Sequence, residues 1–269
     1  MTRVGFVGLG SQGGPMAQQI IASGYPTTLW ARRAQTLEPY AGTGATFAGS
    51  PEELAASSDM IGLCVLADRD VDEVVDAMLP GIAPGTVIAV HSTVHPATCL
   101  RVAESVGERG AMVIDAPVSG GGIAAAARAL LVMVGGDESV LDRCRPVLET
   151  FGDPIVHLGP LGTGQLAKLV NNLLFTTQLG TGDAALTLGE SLGLDRAALA
   201  SVLARGSGNS YALGVVAGSG VEPLGAVAGS TLRKDVDIVN AIATERDVGS
   251  GSLAALAEDV LTRMGHPRP

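Results

Sequence analysis

Lysine is scarce in this chain. Of its 17 basic residues two are lysines, Lys168 in "GQLAKLVNN" and Lys234 in "LRKDVD", and fifteen are arginines. Lysine is normally among the commonest residues, so the two positions call for a reason. An arginine holds its proton at any working pH, whereas a lysine releases its proton when burial or a neighbouring positive charge lowers its pKa. A lysine can therefore move protons where an arginine only supplies charge. Asn172 follows Lys168 by four residues, on the same face of a helix, where its amide can orient a substrate or the lysine, or bond a neighbouring loop. Compositional drift that left two lysines by chance is the alternative.

A second chemistry is written near the N-terminus. "VGFVGLGSQGGPMAQQI" holds Gly8-x-Gly10-x-x-Gly13 between an apolar run and a helical pattern. The first glycine permits a tight turn, the second lets backbone approach a pyrophosphate, and the third lets helix pack on strand. Unpaired N–H groups at the helix start then meet the phosphates. The loop Gly8-Leu9-Gly10-Ser11-Gln12-Gly13 is thus a candidate dinucleotide cradle. One motif among 37 glycines is weak by itself, but the preceding strand and a second strand some twenty residues on agree with it. That second strand ends in Trp30-Ala31-Arg32-Arg33. A carboxylate there would take the ribose hydroxyls of NAD, whereas arginines suit the 2′-phosphate of NADP. Solvated charge at a helix start is the other reading of the pair.

These residues need a scaffold, and the first half of the chain supplies one. Near-continuous apolar runs at 3–10, 27–32, 60–66, 85–92, 111–117 and 129–136 read as strands buried on both faces of a parallel sheet. Helical segments at 14–24, 50–58 and 95–110 lie between them. Ser50, with Pro51 next and Glu53 three residues on, has the capping-box arrangement. The pattern is a β-α-β series and predicts an α/β doubly wound sheet. From Gln165 to Leu192 the chain is apolar at helical spacing with no strong breaker, and Ala- and Leu-rich segments without strands follow. This predicts an NADP-binding domain over 1–161 and an all-helical domain over 162–269 opened by a long helix.

Bulk properties narrow the class. The net charge of −10 lacks the basic stripe of a nucleic-acid surface. No apolar run is long enough to span a bilayer, and "MTRVGFVGLG" leaves no room for a signal peptide. Cys64, Cys99 and Cys144 are far apart, and the four histidines form no metal-binding spacing. The expectation is a cytoplasmic, metal-free protein with no nucleic-acid or membrane partner.

Four stretches in order, "GLGSQGGPMA", "DAPVSGGGIAAAARAL", "GTGQLAKLVNN" and "LRKDVDIVNA", resemble the β-hydroxyacid dehydrogenases. That group includes 3-hydroxyisobutyrate dehydrogenase, tartronate semialdehyde reductase, glyoxylate/succinic semialdehyde reductase and, more distantly, 6-phosphogluconate dehydrogenase. The resemblance implies that Lys168 is the catalytic lysine, Asn172 its companion, and Ser119-Gly120-Gly121 the substrate-anchoring loop. It also implies that Val65-Leu66-Ala67, Thr93 and Lys234 lie on the cofactor side, and that the protein is a homodimer or higher homo-oligomer. Both lysines fall on the family's lysine positions. The chemistry agrees: hydride transfer to an aldehyde makes an alkoxide, which needs a proton donor within hydrogen-bond reach. The glycine turn offers backbone N–H groups to a substrate carboxylate. Three residues depart from the family pattern: Gln12 in place of Met, His91 in place of a small or acidic residue, and Arg128 in place of Gly.

The expected activity is NADP-dependent interconversion of a small β- or γ-hydroxy acid and its semialdehyde, NADP(H) being preferred over NAD(H). An imine reductase on the same architecture would typically replace the lysine. A non-catalytic NADPH-binding protein would have had no cause to keep both lysines.

Overall fold

The structure, a computed structural model, describes residues 1–268. The chain forms two compact units, Met1–Lys168 and a second from Leu169 onward. The first is built on six parallel strands: β1 (Val4–Val7), β2 (Thr27–Trp30), β3 (Thr46–Phe47), β4 (Met60–Leu63), β5 (Val87–Val90) and β6 (Met112–Asp115). Their order is β3-β2-β1-β4-β5-β6. This is the doubly wound sheet expected, and its direction of winding reverses between β1 and β4. A ligand crevice opens at such a reversal, beyond the carboxyl ends of the strands.

Every residue of β1, β4 and β5 is buried, which is why these strands read as unbroken apolar runs. The helices are α1 (Gly13–Ala22), α2 (Pro51–Ala56), α3 (Asp68–Met78), α4 (Pro96–Gly107), α5 (Gly121–Ala126) and α6 (Glu138–Leu148). One face of the sheet packs Phe6 and Leu29 with Met16 and Ile20 of α1. The other packs Ile61 and Leu63 with Leu54, Val74 and Val102 of α2, α3 and α4. Full burial of a side chain such as Phe6 contributes about 1.5–3 kcal/mol. Ser50 caps α2 by accepting from the Glu53 N–H at 3.1 Å. The Glu53 carboxylate returns to the Gly49 N–H at 2.7 Å, one residue earlier than a standard capping box.

Three local features differ from expectation. The run at 129–136 is a strand, β8 (Leu130–Val134), but it lies in a separate three-stranded sheet between β7 (Val118–Ser119) and β9 (Gly152–His157). β8 is antiparallel to β7 and parallel to β9. β9 falls in a stretch that the sequence does not mark as a strand. It carries a cis Asp153–Pro154 bond and only Gly152 is fully buried, so neither an apolar run nor an alternation marks it. β3 escapes for the same reason, being two exposed residues long.

The long helix α7 runs Thr163–Ser191, close to the span predicted. The second unit adds α8 (Arg196–Leu203), α9 (Tyr211–Val216), α10 (Ser230–Glu245) and α11 (Gly251–Arg263). Leu179, Leu186, Leu213, Val236 and Leu261 form its core. The buried Asp183 on α7 pairs with Arg196 at 2.8 Å and with Arg263, tying α7 to α8 and α11. No helix is long and apolar enough to cross a membrane among the described residues.

Candidate active site

The glycine loop is shaped by its own packing. Gly8 has φ +93°, and a Cβ there would stand 2.0 Å from the Cys64 carbonyl oxygen; at Gly13 it would stand 1.9 Å from that of Gly8. At Gly10 a Cβ would meet nothing within 4 Å. Two glycines are therefore demanded by the fold, and the third faces open space that a phosphate can approach. The loop opens α1, and this fits a dinucleotide pyrophosphate. Cys64 lies beneath the loop with its thiol pushed up to about 12 by burial, a small packed side chain and not a reactive one.

At the end of β2, Ala31 is half-buried and Arg32 and Arg33 are exposed. Arg32 reaches Asp70 at 2.9 Å and Glu73 at 3.0 Å, both on α3. Asp70 also accepts from the Ala67 N–H at 3.2 Å, so it joins the end of β2 to the loop after β4. In that loop the Val65 N–H donates to Ser92 Oγ at 2.8 Å, while Leu66 is 82% exposed.

Ser119 ends β7, and Gly120 and Gly121 follow with φ of +128° and +69°. A Cβ on the next residue, Gly122, would stand 2.3 Å from the Ser11 carbonyl oxygen. The loop expected to hold substrate is thus packed directly on the loop expected to hold cofactor. Arg128 has φ +59°, a backbone that suits the family's glycine. Its guanidinium donates to Gln19 Oε1 at 2.8 Å and Ser23 Oγ at 3.1 Å, along α1 and not toward the glycine turn. His91 is buried between Phe6 and Phe151 and bonds the Ala116 carbonyl through Nδ1 at 2.8 Å. Burial lowers its pKa to about 4, so it is a neutral core residue.

Two residues that sequence reasoning passed over organise the start of α7. Asp115, the last residue of β6, is fully buried and accepts the Gly162 and Gln165 N–H groups at 2.6 Å each. Burial pushes its carboxyl above the usual carboxylate range, and these backbone donors oppose that. Gln165 is also fully buried. Its Oε1 accepts the Val94 N–H at 3.0 Å and its Nε2 donates to the Ser92 carbonyl at 2.8 Å, so it grips the backbone on both sides of Thr93. Lys168 is half-buried, three residues beyond Gln165 on the same helix. A carboxylate ending an otherwise apolar strand, in "AMVIDAP", was the available signal for Asp115.

In the helical unit Asn172 Nδ2 donates to Asp235 Oδ2 at 2.6 Å. The Lys234 ammonium lies 3.0 Å from Asp235 Oδ1, a contact of charge rather than an aligned hydrogen bond. Asp235 is 1% exposed. It brings Asn172 and Lys234 to one carboxylate, and its signal was its place directly after Lys234. No cluster of metal-ligating side chains occurs among the described residues.

Residues 3–159 match the NAD-binding domain of 6-phosphogluconate dehydrogenase, and residues 162–266 match the NAD-binding family of NADP-dependent 3-hydroxyisobutyrate dehydrogenase. The chain belongs to the 3-hydroxyisobutyrate dehydrogenase family. The NAD-dependent L-serine dehydrogenase of Pseudomonas aeruginosa is 36% identical over 219 residues, covering 80% of this chain and 73% of that protein. The Mycobacterium tuberculosis 3-hydroxyisobutyrate dehydrogenase, solved with L-serine, superposes with a TM-score of 0.87 at 28% identity over 98% of this chain and 94% of that one. Psf3 in complex with NADP+ and 2-OPP superposes with a TM-score of 0.82 at 25% identity, covering 96% and 93%. As a member of the 3-hydroxyisobutyrate dehydrogenase family, the chain is an NAD(P)-dependent dehydrogenase acting on a CH–OH group.

Proposed function

We propose that the protein interconverts a small β- or γ-hydroxy acid and its semialdehyde with NADP(H), and that Lys168 is the general acid/base. The observation that carries this reading is the treatment of the two lysines: Lys234 shares a buried carboxylate with Asn172, and Lys168 sits just beyond a fully bonded helix start. Relatives named for L-serine and 3-hydroxyisobutyrate support a 3-hydroxypropanoate substituted at C2 as the leading substrate class.

The bound nicotinamide supplies or accepts the hydride. Lys168 gives its proton to the alkoxide oxygen during reduction and takes it back during oxidation, and its charge stabilises the oxyanion before transfer. Backbone N–H groups of the Ser119-Gly120-Gly121 turn hold the substrate carboxylate. Asn172 orients the reacting groups, its own amide fixed by Asp235. Thr93, Lys234 and the Val65-Leu66-Ala67 turn are the residues that would hold the cofactor.

The preference for NADP(H) rests on Arg32 and Arg33, which offer forked donors where an NAD enzyme places a carboxylate. A hydrogen bond to a charged group contributes about 1.5–3 kcal/mol. Arg32 must be shared with Asp70 and Glu73, so the expected discrimination is on the order of tenfold rather than a hundredfold per arginine. The test is a panel of small semialdehydes with NADPH and with NADH, run beside oxidation of L-serine and 3-hydroxyisobutyrate. Turnover with NADPH favoured in kcat/KM, and a preference that shrinks as salt rises, is the expected result. Tight NADPH binding with no turnover would make the protein a cofactor-binding regulator. Equal or better use of NADH would return the arginines to solvated charge.

A further inference from the structure

We infer that Asp115 and Gln165 are positioning residues for Lys168, locking the first turns of α7 to the loops that follow β4 and β5. The inference rests on the reading of Lys168 as acid/base.

A helix start leaves backbone N–H groups without partners. Most helices meet that need with a nearby Ser, Thr, Asp or Asn of their own. Here the carboxylate comes from Asp115, 47 and 50 residues away in sequence, at the end of β6. Its two short, buried bonds tie the first turn of the helix, at Gly162 and Gln165, to the end of β6. Gln165 then continues the connection. Its side chain spans Thr93 from the Val94 N–H to the Ser92 carbonyl, and the Ser92 hydroxyl accepts the Val65 N–H. One unbroken set of bonds therefore runs from the loop after β4, through the Thr93 loop, to the turn of α7 that carries Lys168.

Every donor in this set is neutral and most are backbone, so it fixes position without placing a mobile charge beside the lysine. Such rigidity matters because proton transfer needs the ammonium within hydrogen-bond reach of the reacting oxygen. A displacement of 1 Å from a site away from the chemistry costs roughly a hundredfold in rate. A role confined to folding would instead lower stability and leave the rate of the folded enzyme intact.

The test uses Gln165→Met, which keeps length and apolar volume but makes neither bond, with Asp115→Asn as the second variant and Lys168→Ala as reference. The expected result is a fall in kcat of roughly 10–100-fold for Gln165→Met with NADPH affinity and KM within about threefold. The limb of the pH–rate profile assigned to the lysine should also move, which a folding defect would not do. Gln165→Glu keeps the acceptor for the Val94 N–H and should recover part of the rate. If Lys168→Ala is inactive while folded Gln165→Met keeps its kcat and pH profile, the positioning role is wrong and the acid/base reading stands. If Lys168→Ala keeps its rate, the acid/base reading itself fails. Should Asp115→Asn not fold, Gln165→Met still decides the question.

Discussion

Two of the buried aspartates, Asp115 and Asp235, are met by different kinds of partner. Asp115 in the sheet unit is fully buried and is met by backbone N–H groups at the start of α7. Asp235 in the helical unit is equally buried, yet it is met by side chains, the Asn172 amide and the Lys234 ammonium. The first holds the main chain at the start of α7 through its own side-chain carboxylate. The second gathers the side chains of Asn172 and Lys234, both of them proposed site residues. The same residue type thus binds backbone in the sheet unit and side chains in the helical unit, where Asp183 too is met by side chains, those of Arg196 and Arg263.

The comparison can be strained first in the sheet unit, where the buried His91 is held neutral and bonded to a backbone carbonyl. Its pKa falls from the ordinary 6.5 to about 4, so below pH 6.5 the unfolded chain takes up a proton that the folded chain refuses. Stability is therefore full above pH 6.5 and declines as pH drops toward 4, by about 3 kcal/mol in total. Urea unfolding of the protein and of His91→Leu at pH 7 and pH 5 reads this directly. The variant should lose about 2 kcal/mol less between the two pH values, whatever its starting stability. Equal losses would show that His91 is not held neutral.

The helical unit is strained by Asp235→Ala, which removes the acceptor of the Asn172 amide and the charge beside Lys234. The expected cost is about 1–3 kcal/mol in unfolding free energy. Activity should fall further than stability accounts for, because Asn172 loses its orientation. Asp235→Asn keeps a carbonyl acceptor and should retain more of the fold than of the rate. An Asp235→Ala enzyme with unchanged kcat would separate Asp235 from the site.

The legibility of the sequence follows the same division. β1, β4 and β5 were readable because burial on both faces writes an unbroken apolar run. The cradle was readable because Gly8 and Gly13 allow no side chain where the chain meets itself. β3 and β9 were not, since exposed edge residues carry no pattern. Asp115 and Gln165 stayed hidden for a different reason. Their partners are backbone groups tens of residues away, and no spacing rule connects a strand end to a distant helix start. Arg32 shows the limit from the other side: its type was read from sequence, but its partners Asp70 and Glu73 came only with the fold.

In the proposed mechanism Lys168 moves a proton and does not merely supply charge. Comparing kcat for Lys168→Ala and Lys168→Arg, with NADPH affinity as control, tests it most directly. Loss of a positioned acid/base lowers kcat by roughly 10²–10⁴, and Lys168→Ala should fall in that range with NADPH binding within about twofold. A guanidinium keeps the charge but does not readily release its proton, so Lys168→Arg should be nearly as slow. An arginine variant that keeps close to the full rate would contradict the account and leave Lys168 an electrostatic anchor.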